Sequence, residues 1–197
     1  MQYNEIRTQL KTGDIVLFSG SSPISHGIKL LTFSKWSHIG MVFKLPEIDT
    51  IFLWEATTGS NIADAIDGKI KHGVRLVLLS ERIQTYQGEV AIRQLNGFDM
   101  TQDQHRSLMQ LRNQLKNKRY EENELELMKS AFDGPFGTNQ EDLSSLFCSE
   151  LVAEAYQCLG LLDESIPSNE YIPKDFAEKK PLKLRSGAYL GEEIALI

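Results

Sequence analysis

Three side chains in this sequence have the types and the setting for covalent chemistry: the thiol of Cys148, the imidazole of His38 and the carboxylate of Glu55. Cys148 lies in Ser144-Ser145-Leu146-Phe147-Cys148-Ser149-Glu150-Leu151-Val152, and Phe147, Leu151, Ala155 and Leu159 recur at helical spacing. Ser144 or Ser145 is a good N-cap, so the stretch reads as a helix with a thiol in its first turn. Unpaired N–H groups and the helix dipole at that end favour thiolate over thiol and lower the pKa. A cysteine in an apolar helix is nevertheless more often a small buried hydrophobe than a nucleophile. Position does not decide between the two; a nearby base and a group that orients it would.

His38 and Glu55 are candidates for those roles, because each interrupts an otherwise apolar run, Trp36–Phe43 and Ile51–Thr57. Taken singly, His38 could be a satisfied core histidine and Glu55 a carboxylate pointing to water. Taken together they depend on register. If the two runs form a hairpin with Lys44 facing Ile51, then Gly40 opposes Glu55, His38 opposes Thr57, and Glu55 is a diagonal neighbour of His38 on one face. Gly40 would leave the space beside them clear. A slip of one residue would put Trp54 there and send Glu55 to the other face. In the hairpin register, the imidazole can take the thiol proton while the carboxylate fixes its tautomer and stabilises the imidazolium.

The elements that must carry these residues follow from turn and apolar patterns. A short helix over residues 3 to 11 and the turn Lys11-Thr12-Gly13-Asp14 precede a buried strand, Ile15-Val16-Leu17-Phe18. Ser22-Pro23 opens a further helix. After the hairpin, Thr58 to Gly73 is a polar excursion, Val74 to Leu79 a strand, Ser80 the cap of a short helix, and Glu89 to Leu95 another strand. Thr101 caps a helix to Lys118, Asn123 to Phe132 is a second helix, and residues 133 to 140 form a loop before the Cys148 helix. Prolines 167, 173 and 181 break the tail into short pieces, with a helical turn at Asp175-Phe176-Ala177.

Segments 13–17 (Gly-Asp-Ile-Val-Leu), 36–42 (Trp-Ser-His-Ile-Gly-Met-Val) and 147–152 (Phe-Cys-Ser-Glu-Leu-Val) resemble the blocks of the permuted papain-like cysteine hydrolases. These form the YiiX/YebB-like branch of the NlpC superfamily, related to lecithin retinol acyltransferase-like enzymes. Pro167 to Phe176 resembles that family's proline-containing segment, so the likeness spans residues 13 to 176. In ordinary papain-like chains the cysteine helix precedes the histidine strand; here, as in the permuted branch, the histidine comes first. The resemblance implies an α+β, circularly permuted papain-like fold with a mainly antiparallel sheet packed on helices. It also implies Cys148 as nucleophile, His38 as base, Glu55 as the more variable third residue, and a thioester intermediate. The oxyanion would then be met by the Cys148 N–H and one further donor.

Totals narrow the alternatives. A chain of 197 residues reads as one domain, residues 1 to 197, long enough for a continuous core. A net charge of −6, with Lys116-Asn117-Lys118-Arg119 as the densest basic run, argues against nucleic acid as a partner. Cys148 and Cys158 would lie about 15 Å apart along one helix, too far for a disulfide. Free thiols, no N-terminal apolar region and no spanning helix point to a cytoplasmic protein. His26, His72 and His105 read as surface or structural residues, and Cys158 as the inert thiol near the apolar stripe. No ligand spacing suggests a metal, and no cofactor is expected. The expected substrate is a small peptide, an amide or an acyl ester; a lipid acyl hydrolase or transferase, or a non-catalytic binding module on the same fold, are the alternatives.

Overall fold

The computed structural model describes residues 1–21, 25, 29–30, 33–45, 48–57, 61–70, 73–116, 144–180 and 182–196. The expected Ser22-Pro23 helix start, the second helix over 123 to 132, the loop over 133 to 140, His26 and His72 lie outside them. A six-stranded sheet organises the rest: β1 (Ile15–Gly20), β2 (His38–Lys44), β3 (Ile51–Thr57), β4 (Gly73–Leu78), β5 (Gly88–Arg93) and, at its edge, β8 (Ile194–Leu196). The spatial order is β4-β3-β2-β1-β5-β8, and every neighbouring pair is antiparallel. β6 (Leu95–Asn96) and β7 (Tyr189–Leu190) pair in a separate two-stranded sheet.

Both faces of the sheet are buried, which explains why these strands read as nearly unbroken apolar runs. Ile39, Met41 and Phe43 of β2 join one core with Trp54 and Ala56 of β3, while Val42 and Leu53 point into the other. The first core is closed by α4 (Ser144–Cys158), which packs on β2 and β3. α3 (Gln102–Leu115) lies against α4 and is capped by Thr101, whose hydroxyl accepts the Gln104 N–H. The second core is covered by Ile6 of α1 (Tyr3–Ile6), by Leu10, and by Leu79 and Ile83 of α2 (Leu79–Thr85). Leu151 and Ala155 of α4, and Leu159 just past its end, are buried as the helical spacing predicts, and Val152, Ala153 and Tyr156 are buried with them.

Several boundaries differ from the sequence reading. The opening helix ends at Ile6 and continues as a 3₁₀ turn over Arg7–Gln9. Leu79 begins α2 instead of ending β4, and Leu78, not Ser80, occupies the cap position. The helical turn in the tail is 3₁₀, over Pro173–Phe176. That tail is held by Arg93, whose guanidinium donates to the carbonyls of Phe176, Leu190 and Gly191 at 2.6–2.8 Å. The Met1 amino group donates to the Ala195 carbonyl at 3.0 Å, bringing both ends of the chain to the same edge of the sheet.

Asp14 ties the first turn to this frame. Its carboxylate accepts the Lys11 and Leu95 N–H groups at 2.9 and 2.8 Å, and it is fully buried. Burial pushes its pKa up to about 6 against the pull of those donors.

Candidate active site

β2 starts at His38, where Ser37 N–H donates to the Phe18 carbonyl at 2.9 Å and Trp36 is pinned by its indole N–H to Glu193 at 2.8 Å. From the other end, β2 and β3 pair as Lys44↔Ile51, Phe43↔Phe52, Val42↔Leu53 and Met41↔Trp54. This is the hairpin register inferred from the sequence. It turns His38 and Glu55 to the same face, and His38 Nε2 lies 2.7 Å from Glu55 Oε2. A Cβ on Gly40 would come within 2.7 Å of Leu53 Cδ1, so glycine is what lets β2 lie this close to β3 there.

Glu55 is the most heavily bonded group in this cluster. Arg75 stands opposite it on β4 and donates to Oε1 through Nη2 at 2.6 Å and Nε at 3.1 Å, with Nη1 tied to the Ile62 carbonyl at 3.2 Å. Arg82, one turn into α2, places Nε 3.2 Å from both carboxylate oxygens. Its guanidinium also lies over the rings of Phe18 and Tyr86, 4.9 and 5.0 Å from their centroids. Glu55 and Arg75 are almost wholly buried and Arg82 is 7% exposed. Burial opposes the Glu55 charge, but Arg82, His38 and Arg75 outweigh it and hold the carboxyl well below its usual range. For His38, burial lowers the pKa; Glu55 pulls it up, and Arg82 and Arg75 push it down again.

The two arginines were not among the sequence candidates. Arg75 carried a usable signal, a charge inside the apolar run Val74-Arg75-Leu76-Val77, facing Glu55 once β4 is paired with β3. Arg82 carried none, because its reach depends on where α2 crosses the sheet.

Cys148 comes to the strand residue next to His38. The β2–β3 ladder ends at Met41↔Trp54, and beyond it the Ile39 N–H points at the Cys148 sulfur, as do the N–H groups of Ser149 and of Cys148 itself. The expected low pKa is not what results. Cys148 is the fifth residue of α4, past the first turn where the dipole acts, and it is fully buried. Desolvation outweighs the converging backbone donors, and the Glu55 charge adds to it, so the thiol is pushed up to about 12. Cys158 is half-buried at the end of α4 and outside the core, not on the apolar stripe; both cysteines are free thiols. His105 sits half-buried on α3. Tyr86, close to Ser37 and Cys148, completes the surroundings.

An antiparallel sheet with a histidine–carboxylate pair on its central strands, and a cysteine helix packed beside it, defines the papain-like class of α+β folds. The histidine strand here precedes the cysteine helix. Residues 9–171 match the model of the permuted papain-like amidases, the YaeF/YiiX or C92 family, and the chain belongs to that family. The fold is also that of the YiiX crystal structure from Escherichia coli O157:H7, at 19% identity and a TM-score of 0.50, covering 96% of this chain and 97% of that one. No curated protein sequence matches.

The YiiX protein is described as a metalloprotein. Here, among the described residues, no three His, Cys, Asp or Glu side chains are grouped to hold a metal. Both Glu55 oxygens are already engaged by His38, Arg75 and Arg82. The described site does not fit a metal ion, and no helix among the described residues is long and apolar enough to cross a membrane.

Proposed function

We propose that the protein is a cysteine-dependent hydrolase of an amide or peptide bond, with residues 1 to 197 acting as one catalytic unit. Membership of the permuted papain-like amidases supports the reaction class. The observation that carries the assignment of roles is the 2.7 Å contact of His38 Nε2 with Glu55, one residue from the backbone N–H that holds the Cys148 sulfur. With Nε2 engaged by the carboxylate, Nδ1 is the ring nitrogen left to accept a proton.

In this reading the pair rests as neutral thiol and neutral imidazole, because burial disfavours the charge on each. As the substrate carbonyl arrives, the thiol proton passes to Nδ1 and the S–C bond forms. His38 then gives that proton to the leaving amine as the C–N bond breaks, leaving a thioester. Water, deprotonated by His38, attacks the thioester and releases the carboxylic acid and the thiol. Glu55 offsets the imidazolium charge in both halves. Its own charge persists throughout, since two arginines hold it.

The test is to profile wild type and Cys148→Ala against a mixed panel of peptide amides and acyl esters. Hydrolysis of one or more amides that disappears in Cys148→Ala is expected. Amide turnover that survives the substitution, or turnover confined to acyl esters, refutes the assignment.

A further inference from the structure

We propose that Arg75 and Arg82 are positioning residues: by keeping Glu55 ionised they force the His38 proton onto Nε2 and leave Nδ1 as the nitrogen that can accept one. The inference rests on the hydrolase reading above and deepens it.

A 2.7 Å contact between an imidazole nitrogen and a carboxyl oxygen is compatible with two proton arrangements. In one, Nε2–H donates to a carboxylate, and Nδ1 carries the lone pair. In the other, a protonated carboxyl donates to Nε2, and the ring's own proton sits on Nδ1, where it blocks base catalysis. Burial to this depth favours the second arrangement, because a fully buried carboxyl tends to take up a proton. The arginines reverse that preference. Arg75 gives two donors to Oε1 and Arg82 bridges Oε1 and Oε2, so a proton on either oxygen would have to displace a guanidinium N–H. Two guanidinium groups thus meet on one carboxylate.

The two arginines have a second effect. The charged groups acting on His38 are Glu55 on β3, Arg82 on α2 and Arg75 on β4, and Phe18 of β1 packs on the ring, 5.4 Å between centroids; Tyr86, just beyond α2, and Cys148 on α4 feel the same Glu55 charge. Glu55 favours the imidazolium and both arginines oppose it. Burial first, and the arginines with it, keep the imidazole deprotonated, ready to accept a proton and quick to release it.

Two measurements test this, and neither needs a substrate. The ring ¹⁵N shifts of His38 in the folded wild-type protein at pH 7.5 report the tautomer directly; Nε2–H is expected, and Nδ1–H overturns the proposal. The second follows alkylation of Cys148 by iodoacetamide against pH in wild type, Arg82→Gln and Arg82→Lys, with Cys158 in the same molecule as reference. Removing the Arg82 charge is expected to move the His38 acid limb up by about one unit, since Arg82 lowers the His38 pKa and a neighbouring charge shifts a pKa by roughly one to three units. Arg82→Lys keeps the charge and should leave the limb near the wild-type position. A folded Arg82→Gln protein with lower reactivity but an unmoved limb shows a merely structural arginine and overturns the proposal. If Arg82→Gln does not fold, the wild-type tautomer decides by itself. Amide turnover that survives Cys148→Ala would refute the hydrolase reading while leaving the tautomer result intact; an Nδ1–H tautomer in an enzyme whose turnover requires Cys148 would refute only the clamp.

Discussion

Replacing Glu55 by alanine tests the electrostatic arrangement of the whole site through stability. The substitution leaves Arg75, at 2% exposed, and Arg82, at 7%, facing each other across the space the carboxylate occupied. Breaking a buried ion pair by removing one partner costs about 3–5 kcal/mol, because the remaining charge stays desolvated. Two arginines and a histidine share this anion, so a value at the upper end is expected. In a domain of this size each kcal/mol shifts Tm by about 2–4 °C, which gives a fall of roughly 10–20 °C. Urea and thermal denaturation of wild type and Glu55→Ala, followed by far-ultraviolet circular dichroism, measure it. The pH dependence is a second constraint. The folded pKa of Glu55 is depressed, so its contribution is fully present above the unfolded carboxylate value of about 4.3 and is lost as pH falls from there through the folded value. The gap between the two proteins should therefore be level from pH 8 to 6.5, above the window in which His38 titrates. A gap under about 1 kcal/mol, the scale of an exposed ion pair, would refute the picture of a desolvated anion held by two cations. So would a gap that shrinks between pH 8 and 6.5.

Two further stability measurements address the frame around the site. Gly40→Ala should cost about 1–3 kcal/mol, the usual range for overpacking, because its Cβ meets Leu53, which is fully buried; an unchanged urea midpoint would contradict the tight approach of β2 to β3. Asp14, with a raised folded pKa, adds stability below its unfolded value of about 3.9, and this is lost as pH rises through about 6. Relative to Asp14→Asn, the wild type should therefore gain on the order of 3 kcal/mol between pH 7 and pH 4, at about 1.4 kcal/mol per unit. A difference that stays constant over this range would show that Asp14 titrates normally.

The hairpin could be read from sequence because one pairing, Lys44 with Ile51, determines every other pair and hence which face Glu55 occupies. Helical spacing likewise placed Leu151, Ala155 and Leu159 in the core. What sequence could not supply was the surroundings. Arg82 reaches Glu55 only through the crossing of α2, and the Cys148 thiol owes its high pKa to layers of chain remote in sequence. Local features, a helix start and its dipole, suggested thiolate; tertiary burial overrode them. The short strands β7 and β8 hold two and three residues, too few for any periodicity to register.

The meeting of the chain's two ends at the β5–β8 edge has a topological consequence. Because the Met1 amino group already touches the Ala195 carbonyl, a short link between residues 1 and 196 would close the backbone into a ring at little cost in loop entropy. Reopening that ring between residues 116 and 144 would put the cysteine helix ahead of the histidine strand, the order of unpermuted papain-like chains, with all three site residues carried on uncut elements. The order of reading along the polymer and the geometry of the site are thus separable properties of this fold, and the contact at the sheet edge is what makes them so.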